Sequence, residues 1–327
     1  MSQQLTESDR AVLAQLLQLK VPKKEIAQRL RKHRSTVYRE LARNTGPVGY
    51  IPEEAQQRTD VRRWVNHRVR KMSDPQIRHY VCQRLRRYWS PDQIAGRLRR
   101  ECGRQAQCWI SRQTIYQWIH HQPSEERRTW RRCLRFGVSR RKRREDAGRL
   151  PNAVRIDGRP AIVASRRRYG DWEGDTIVGR GRVGGLLSLV ERKSGFTLLA
   201  RVQNRRAATV RRAAEESWTA MPNTLLRTAT FDNGKEFAEH EQLSAATGLA
   251  IYFAQPYAAW QRGTNENTNG LVRQYVPKGT DLTATSHRAV AAIQSSLNDR
   301  PRKRLGYRTP NEVLNQYAKR RGVAFDI

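Results

Sequence analysis

The chain has 327 residues, 64 of them Lys or Arg and 30 Asp or Glu, giving a formal net charge of +34. At roughly 150 residues per domain this length allows two or three domains, and so positive a balance opposes compaction unless a polyanion neutralises it, with nucleic acid the leading partner. No run of about 18 apolar residues occurs and the N-terminus, MSQQLTESDR, lacks a signal peptide's apolar core, so a membrane is disfavoured and the chain reads as soluble and intracellular.

Residues 7 to 44 carry apolar positions at three-to-four spacing (Val12, Leu13, Leu16, Leu17; Ile26, Ala27, Leu30; Val37, Tyr38, Leu41), which predicts three helices with breaks near KVPK and RKHRS. Ser35 is placed as the N-cap of the third, whose polar side carries Arg34, Arg39 and Arg43. This is the pattern of a helix-turn-helix, whose second helix enters the major groove. A second copy follows: SPDQIAGRLRRE (90–101) echoes PKKEIAQRLRKH (22–33), and SRQTIYQWIHH (111–121) echoes HRSTVYRELAR (33–43), with the turn enlarged by ten residues. Arg34, Ser35, Thr36, Arg39 and Arg43 of the first unit, and Arg112, Gln113, Thr114 and Gln117 of the second, are the candidate DNA contacts. Cys82, Cys102, Cys108 and Cys133 form no CxxC pair and have no histidine at zinc-ligand spacing, so they read as reduced, buried thiols.

Residues 123 to 165 are dense in arginine, with Gly and Pro at GRLPNAVRIDGRP, and read as a partly ordered linker lying along phosphate. From 166 the pattern becomes α/β. DTIVG, GLLSLVE and FTLLARV are strand-like runs separated by turn signals; then come helical AATVRRAAEESWTAM, strand LLRTATF, helical EFAEHEQLSAA, strand LAIYFA and three further helices. Three strands in hairpin succession followed by alternating helix and strand predict a mixed five-stranded sheet with helices on both faces. The expected organisation is therefore 1–60 and 61–122 as two helix-turn-helix domains, 123–165 as linker and 166–327 as an α/β domain.

Acidic residues are scarce, so those at strand ends stand out. Asp175 is placed where the first strand begins, Asp232 after the fourth, and Glu266 in the first turn of the helix after the fifth. Asp171 and Glu173 compete with Asp175, because strand alternation puts all three on one face. Three carboxylates gathered beyond strand ends make an oxygen-only site suited to Mg2+ and phosphodiester chemistry. Arg273, two helical turns after Glu266, shares its face and is placed to hold a DNA phosphate. Lys235 and Lys278 are further phosphate candidates, and Tyr257 and Trp260 are either base-stacking or core residues. The helix TNENTNGLVRQY is poor by propensity; Asn265, Asn267 and Asn269 are read as neutral donors toward DNA, and Gly270 as room for a close backbone.

The phrases WEGDTIVG, TFDNGKEFA, PYAAWQRGTNENTNGLVRQYVPKGTDL and LNDRPRKRLGYRTP, with 33 residues between Asp232 and Glu266, resemble the insertion-sequence-thirty family of DDE transposases across essentially the whole chain. The resemblance implies a ribonuclease-H-like core of the retroviral-integrase kind, with Asp175, Asp232 and Glu266 as the catalytic and metal-binding triad and Arg273 as its accompanying basic residue. It also implies two Mg2+ ions (Mn2+ as substitute) and binding of double-stranded DNA at terminal inverted repeats and at a target. Cleavage exposing a 3'-hydroxyl, strand transfer, a dimer or larger assembly on DNA, and a bacterial, nucleoid-associated location complete that expectation. A DNA-binding regulator and a nuclease that hydrolyses without joining are the two alternatives.

Overall fold

A computed structural model describes residues 5–68, 71–105, 108–135, 150–255 and 258–322, with the side chains of 63–68, 182, 259 and 260 left aside. The chain divides into two compact units, 1–78 and 79–327.

In the first unit α1 (Glu7–Gln18), α2 (Lys23–Arg29) and α3 (Arg34–Asn44) are followed by α4 (Pro52–Arg68). Thr6 and Asp9 form a reciprocal capping box that fixes where α1 starts. Leu13, Leu16, Ile26, Ala27, Leu30, Val37 and Leu41 bury together, as their spacing predicts. Arg10 is also buried there: it donates to Glu40 at 2.7 Å, to Gln56 at 2.7 Å and to the Leu5 carbonyl at 3.0 Å, so one guanidinium ties α1 to α3 and α4. The N-cap of α3 is His33, not Ser35. The His33 ring accepts the Ser35 backbone N–H, because Ser35 already lies inside the first turn. Arg34, Arg39 and Arg43 are exposed, and Ser35 and Thr36 are half-buried.

In the second unit the helices α5 (Pro75–Arg86), which begins just before the boundary, α6 (Pro91–Cys102) and α7 (Arg112–His120) repeat the three-helix pattern. A Ser90–Gln93 capping box and Pro91 in the first turn start α6, and Ser111 caps α7. Arg112, Gln113 and Gln117 are exposed on α7, and Thr114 is half-buried. The four cysteines form no disulfide among the described residues and are half-exposed rather than buried. The arginine-rich stretch that follows contains α8 (Ser124–Arg132), which buries none of its residues. Residues 150–165, including the short α9 (Ile162–Ser165), lie against the sheet: Phe253 N–H donates to the Val154 carbonyl at 2.9 Å, and Val163 is fully buried.

The sheet has five strands in the order β3-β2-β1-β4-β5: β1 (Asp171–Val178), β2 (Gly185–Glu191), β3 (Thr197–Val202), β4 (Thr228–Phe231) and β5 (Ala250–Phe253). β1, β2 and β3 pair antiparallel, while β4 runs parallel to β1 and β5 parallel to β4. Every residue of β2 is buried, because helices cover both faces. On one face α10 (Ala207–Thr219) and α11 (His240–Thr247) bring Val210, Ala214, Trp218 and Leu243 onto Trp172, Leu189 and Phe231. On the other, α12 (Gly263–Tyr275) and α13 (His287–Asn298) bring Leu271, Val272, Val290 and Leu297 onto Ile177, Leu186 and Leu199. The last helix, α14 (Pro310–Arg321), opens with a Thr309–Glu312 capping box. Its Leu314 joins the first of these cores. The expected mixed five-stranded sheet and the helical region before it are both present, with the strand order of a ribonuclease-H-like domain.

Candidate active site

β1 sorts its three acids by what each one touches. Asp171 is buried, pairs with Arg168 at 2.9 Å and accepts the Thr228 hydroxyl at 2.8 Å. Glu173 is fully buried, pairs with Arg192 at 2.7 Å and accepts the Asn265 backbone N–H at 2.9 Å, which pins the first turn of α12 to the sheet. Both are consumed in structural pairs, since a buried charge demands a partner. Asp175 alone of the three is half-exposed. It lies in the middle of β1 rather than at its start, because the strand begins four residues earlier than DTIVG suggests.

Register brings the second acid alongside. β1 and β4 pair Glu173 with Thr230, so two residues on, Asp175 falls level with Asp232, just past the end of β4. Neighbouring strands lie about 4.8 Å apart, so these carboxylates repel unless a cation joins them. Arg262 does so: its Nη2 donates to Asp232 Oδ2 at 3.1 Å, and its Nη1 lies 3.7 Å from Asp175 Oδ2 and donates to the Gly174 carbonyl at 3.1 Å. The remaining oxygens are also held. Asp232 Oδ1 accepts the Gly234 N–H at 3.1 Å, Asp175 Oδ1 accepts the Thr176 N–H at 2.8 Å, and Asp175 Oδ2 accepts Asn269 Nδ2 at 2.9 Å.

Glu266 is in the first turn of α12, one turn beyond Arg262, and is exposed. Among the described residues no three His, Cys, Asp or Glu side chains are grouped closely enough to hold a metal, so two of the three predicted carboxylates are brought together and the third is not. The space between the two aspartates is taken by Arg262.

Arg273 differs from its expected placement. Its Nη2 donates to the Val178 carbonyl at 2.9 Å, so it braces the end of β1 against α12, and burial pushes its pKa down. The asparagines differ as well. Asn265 is fully buried and donates to the Glu173 and Ser188 carbonyls at 3.0 and 3.1 Å. Asn269 links Asp175 to the Ser188 hydroxyl, and Asn267 accepts from Arg135 at 2.7 Å. The space at Gly270 is filled by the Arg135 guanidinium, a side chain rather than a backbone. Lys235 and Lys278 are exposed. Tyr257 and the Trp260 side chain lie outside the described residues. Sequence reasoning missed Arg262, whose available signal was its one-turn spacing before Glu266 at the entrance to α12.

A helix-turn-helix joined in one chain to a mixed 3-2-1-4-5 sheet, with Asp175 on β1 level with Asp232 just past β4, is a helical DNA-binding type of unit followed by a ribonuclease-H-like domain. Residues 2–44 match the model of a helix-turn-helix domain. The chain is 38% identical over 99% of its length to the transposase for insertion sequence element IS4351 of Bacteroides fragilis, and covers 99% of that protein. It is 34% identical over 98% of its length to transposase InsI for insertion sequence element IS30A of Escherichia coli K12, and covers 84% of it. The chain belongs to the IS30 family of insertion-sequence transposases. A solved catalytic core domain of BIV integrase aligns with 46% of this chain and 97% of its own, at 20% identity and a TM-score of 0.36. Among the described residues no helix is long and apolar enough to cross a membrane.

Proposed function

We propose that the chain is a DDE transposase that binds the terminal inverted repeats of its own element, cleaves there to expose a 3'-hydroxyl and joins that end to a target strand. The observation that carries this reading is the pair Asp175 and Asp232, level on adjacent parallel strands and sharing one guanidinium, while Asp171 and Glu173 are tied up in buried pairs. Two carboxylates that already share a cation are a fitting donor set for a hard divalent ion, Mg2+ or Mn2+. Asp175 and Asp232, with Glu266 from α12, would hold two such ions. When bound, these supply activation of the attacking oxygen and charge neutralisation at the leaving oxygen.

The chain's own residues do the positioning. Asn269, itself held by Ser188, orients Asp175; the Gly234 N–H orients Asp232; Glu173 fixes the first turn of α12 and so the height of Glu266 above the sheet. Arg273 keeps the end of β1 against α12, which bounds the room open to a DNA strand. Arg34, Arg39 and Arg43 on α3, and Arg112, Gln113 and Gln117 on α7, are exposed on the second helices of the two helix-turn-helix units and serve as readers of the ends. Ser35, Thr36 and Thr114, half-buried beside them, and the exposed Lys235 and Lys278 belong to the same proposed contact set. In this reading 1–60 and 61–122 bind DNA, 123–165 follows the backbone, and 166–327 cuts and joins. Two ends must be held together for joining, so the working form is a dimer or larger assembly on DNA in the bacterial nucleoid.

The test is a strand-joining assay with Mg2+, supercoiled DNA and the element's terminal repeats, using Asp175→Asn, Asp232→Asn and Glu266→Gln. Each variant is expected to lose joined product while retaining end binding. Wild-type joining by any one of them removes that residue from the site, and hydrolysis without joining in the wild type replaces transposition with a nuclease activity.

A further inference from the structure

Arg262 is the last residue of a 3-10 turn, Ala259–Arg262, and the N-cap residue of α12. A guanidinium has five donors in a planar fork that suits bidentate pairing with a carboxylate. Here that fork is spread over three acceptors: Asp232 at 3.1 Å, the Gly174 carbonyl at 3.1 Å and Asp175 at 3.7 Å. Its Nε is buried without any hydrogen-bond partner. A residue selected for tight structural pairing would satisfy that N–H and sit square on one carboxylate, as Arg168 does on Asp171 with donors at 2.9 Å to both oxygens. Arg262 instead meets the charge of both aspartates while satisfying neither fully.

We propose that Arg262 is a displaceable internal counter-ion: it holds Asp175 and Asp232 together and occupies their shared space until DNA phosphate draws it away, so that metal loading is coupled to DNA binding. The inference rests on reading the two aspartates as ligands of a divalent cation. Its logic is competition, because Arg262 and a divalent cation need the same carboxylate oxygens and cannot both have them. Phosphate offers the guanidinium a bidentate pair of oxygens matched to the fork, a geometry that Arg262 takes with neither aspartate here. Arg262 sits where a short 3-10 turn meets α12, and the exposed Glu266 follows one helical turn on. A chain that carried loaded metal without DNA would risk cutting any strand it touched; this arrangement raises the affinity for metal only where phosphate is present.

The experiment is a Mn2+ titration of the full chain followed by electron paramagnetic resonance of the free ion, with and without duplex DNA and corrected for Mn2+ bound by DNA alone. Wild type, Arg262→Gln, Arg262→Lys and Asp175→Asn are compared, with thermal melts to establish folding. Without DNA, Arg262→Gln is expected to bind Mn2+ about tenfold more tightly than wild type, within the usual range of coupling between sites. Arg262→Lys, which keeps the charge but loses the fork, should fall between them. DNA is expected to tighten Mn2+ binding by wild type and to leave Arg262→Gln unchanged. Equal or weaker binding by folded Arg262→Gln overturns the proposal, as does a wild type indifferent to DNA. In both cases the metal reading stands so long as Asp175→Asn loses the site. Wild-type binding no tighter than that of Asp175→Asn under every condition overturns both.

Discussion

Tyr307 seats its ring against the backbone of Gly96, so closely that a Cβ added at Gly96 would fall inside the van der Waals envelope of three ring carbons. Around this notch Arg97 clasps Glu312 through two donors at 2.8 and 2.7 Å, Arg300 Nε donates to Gln93 at 2.8 Å, and the Tyr307 hydroxyl donates to Asp92 at 3.3 Å. α6, the helix before α7, is thus keyed into the turn that leads to α14. The exposed side chains of α7 therefore keep a fixed relation to the sheet that carries Asp175.

Gly96→Ala is expected to destabilise the protein, although alanine is the better helix former. The propensity gain is about 1 kcal/mol, while overpacking a fitted contact costs roughly 1–3 kcal/mol. Tyr307 has φ +60°, so Tyr307→Gly removes the ring without backbone strain. If the notch is the cause, the double variant should be less destabilised than the sum of the two single variants in urea unfolding; strict additivity would refute it.

Glu312 makes the same junction sensitive to acid. The hydrogen bond from Arg97 holds its carboxyl below the ordinary glutamate value of 4.5. A carboxyl whose pKa is lowered by folding contributes stability that is fully present above 4.5 and disappears as pH falls through its folded value. The contribution is modest because Glu312 is partly exposed and solvent screens the pair. Wild type should therefore melt above Glu312→Gln at pH 7, with the gap narrowing at pH 3. A gap independent of pH would show that Arg97 is not what the carboxylate serves.

The five strands, the two helix-turn-helix patterns and the order of Asp175, Asp232 and Glu266 were all legible, because each is written in local periodicity or in spacing along the chain. What each acid touches was not. Asp171, Glu173 and Asp175 share a strand face, and only the positions of Arg168, Arg192 and Asn269 separate them. Two of those partners arrive from other elements, 19 and 94 residues away. The asparagines of α12 show the same limit: amides are as suited to phosphate as to strand carbonyls, and only packing against β1 and β2 decides. Arg262 stayed hidden because its one local mark, the one-turn spacing before Glu266, is weak in a chain with 64 basic residues.

Asn269→Ala tests the positioning of Asp175. The side chain of Asn269 bridges Asp175 and the Ser188 hydroxyl, donating at 2.9 Å to the first and accepting at 2.7 Å from the second. Outer partners of metal-ligating groups are worth about 10–100-fold in affinity or activity. Strand joining is expected to fall within that range while end binding holds, and raised Mg2+ should restore part of it. Activity within twofold of wild type would mean that Asp175 is oriented without the amide.

Gly270→Ala gives the opposite expectation to Gly96→Ala from a similar local geometry. A Cβ at Gly270 would also meet a neighbour, the Arg135 guanidinium. That neighbour is the far end of a long, exposed side chain, held there among the described residues by a donated hydrogen bond to Asn267. It can swing aside at small cost, whereas the Tyr307 ring stands on a turn held by Arg97 and Glu312. Glycine inside α12 also costs up to about 1 kcal/mol relative to alanine. Gly270→Ala should accordingly be neutral or raise stability by up to about 1 kcal/mol in urea unfolding. A loss of stability would mean that the packing of Arg135 on α12 outweighs helix propensity and that Gly270 is kept for that contact.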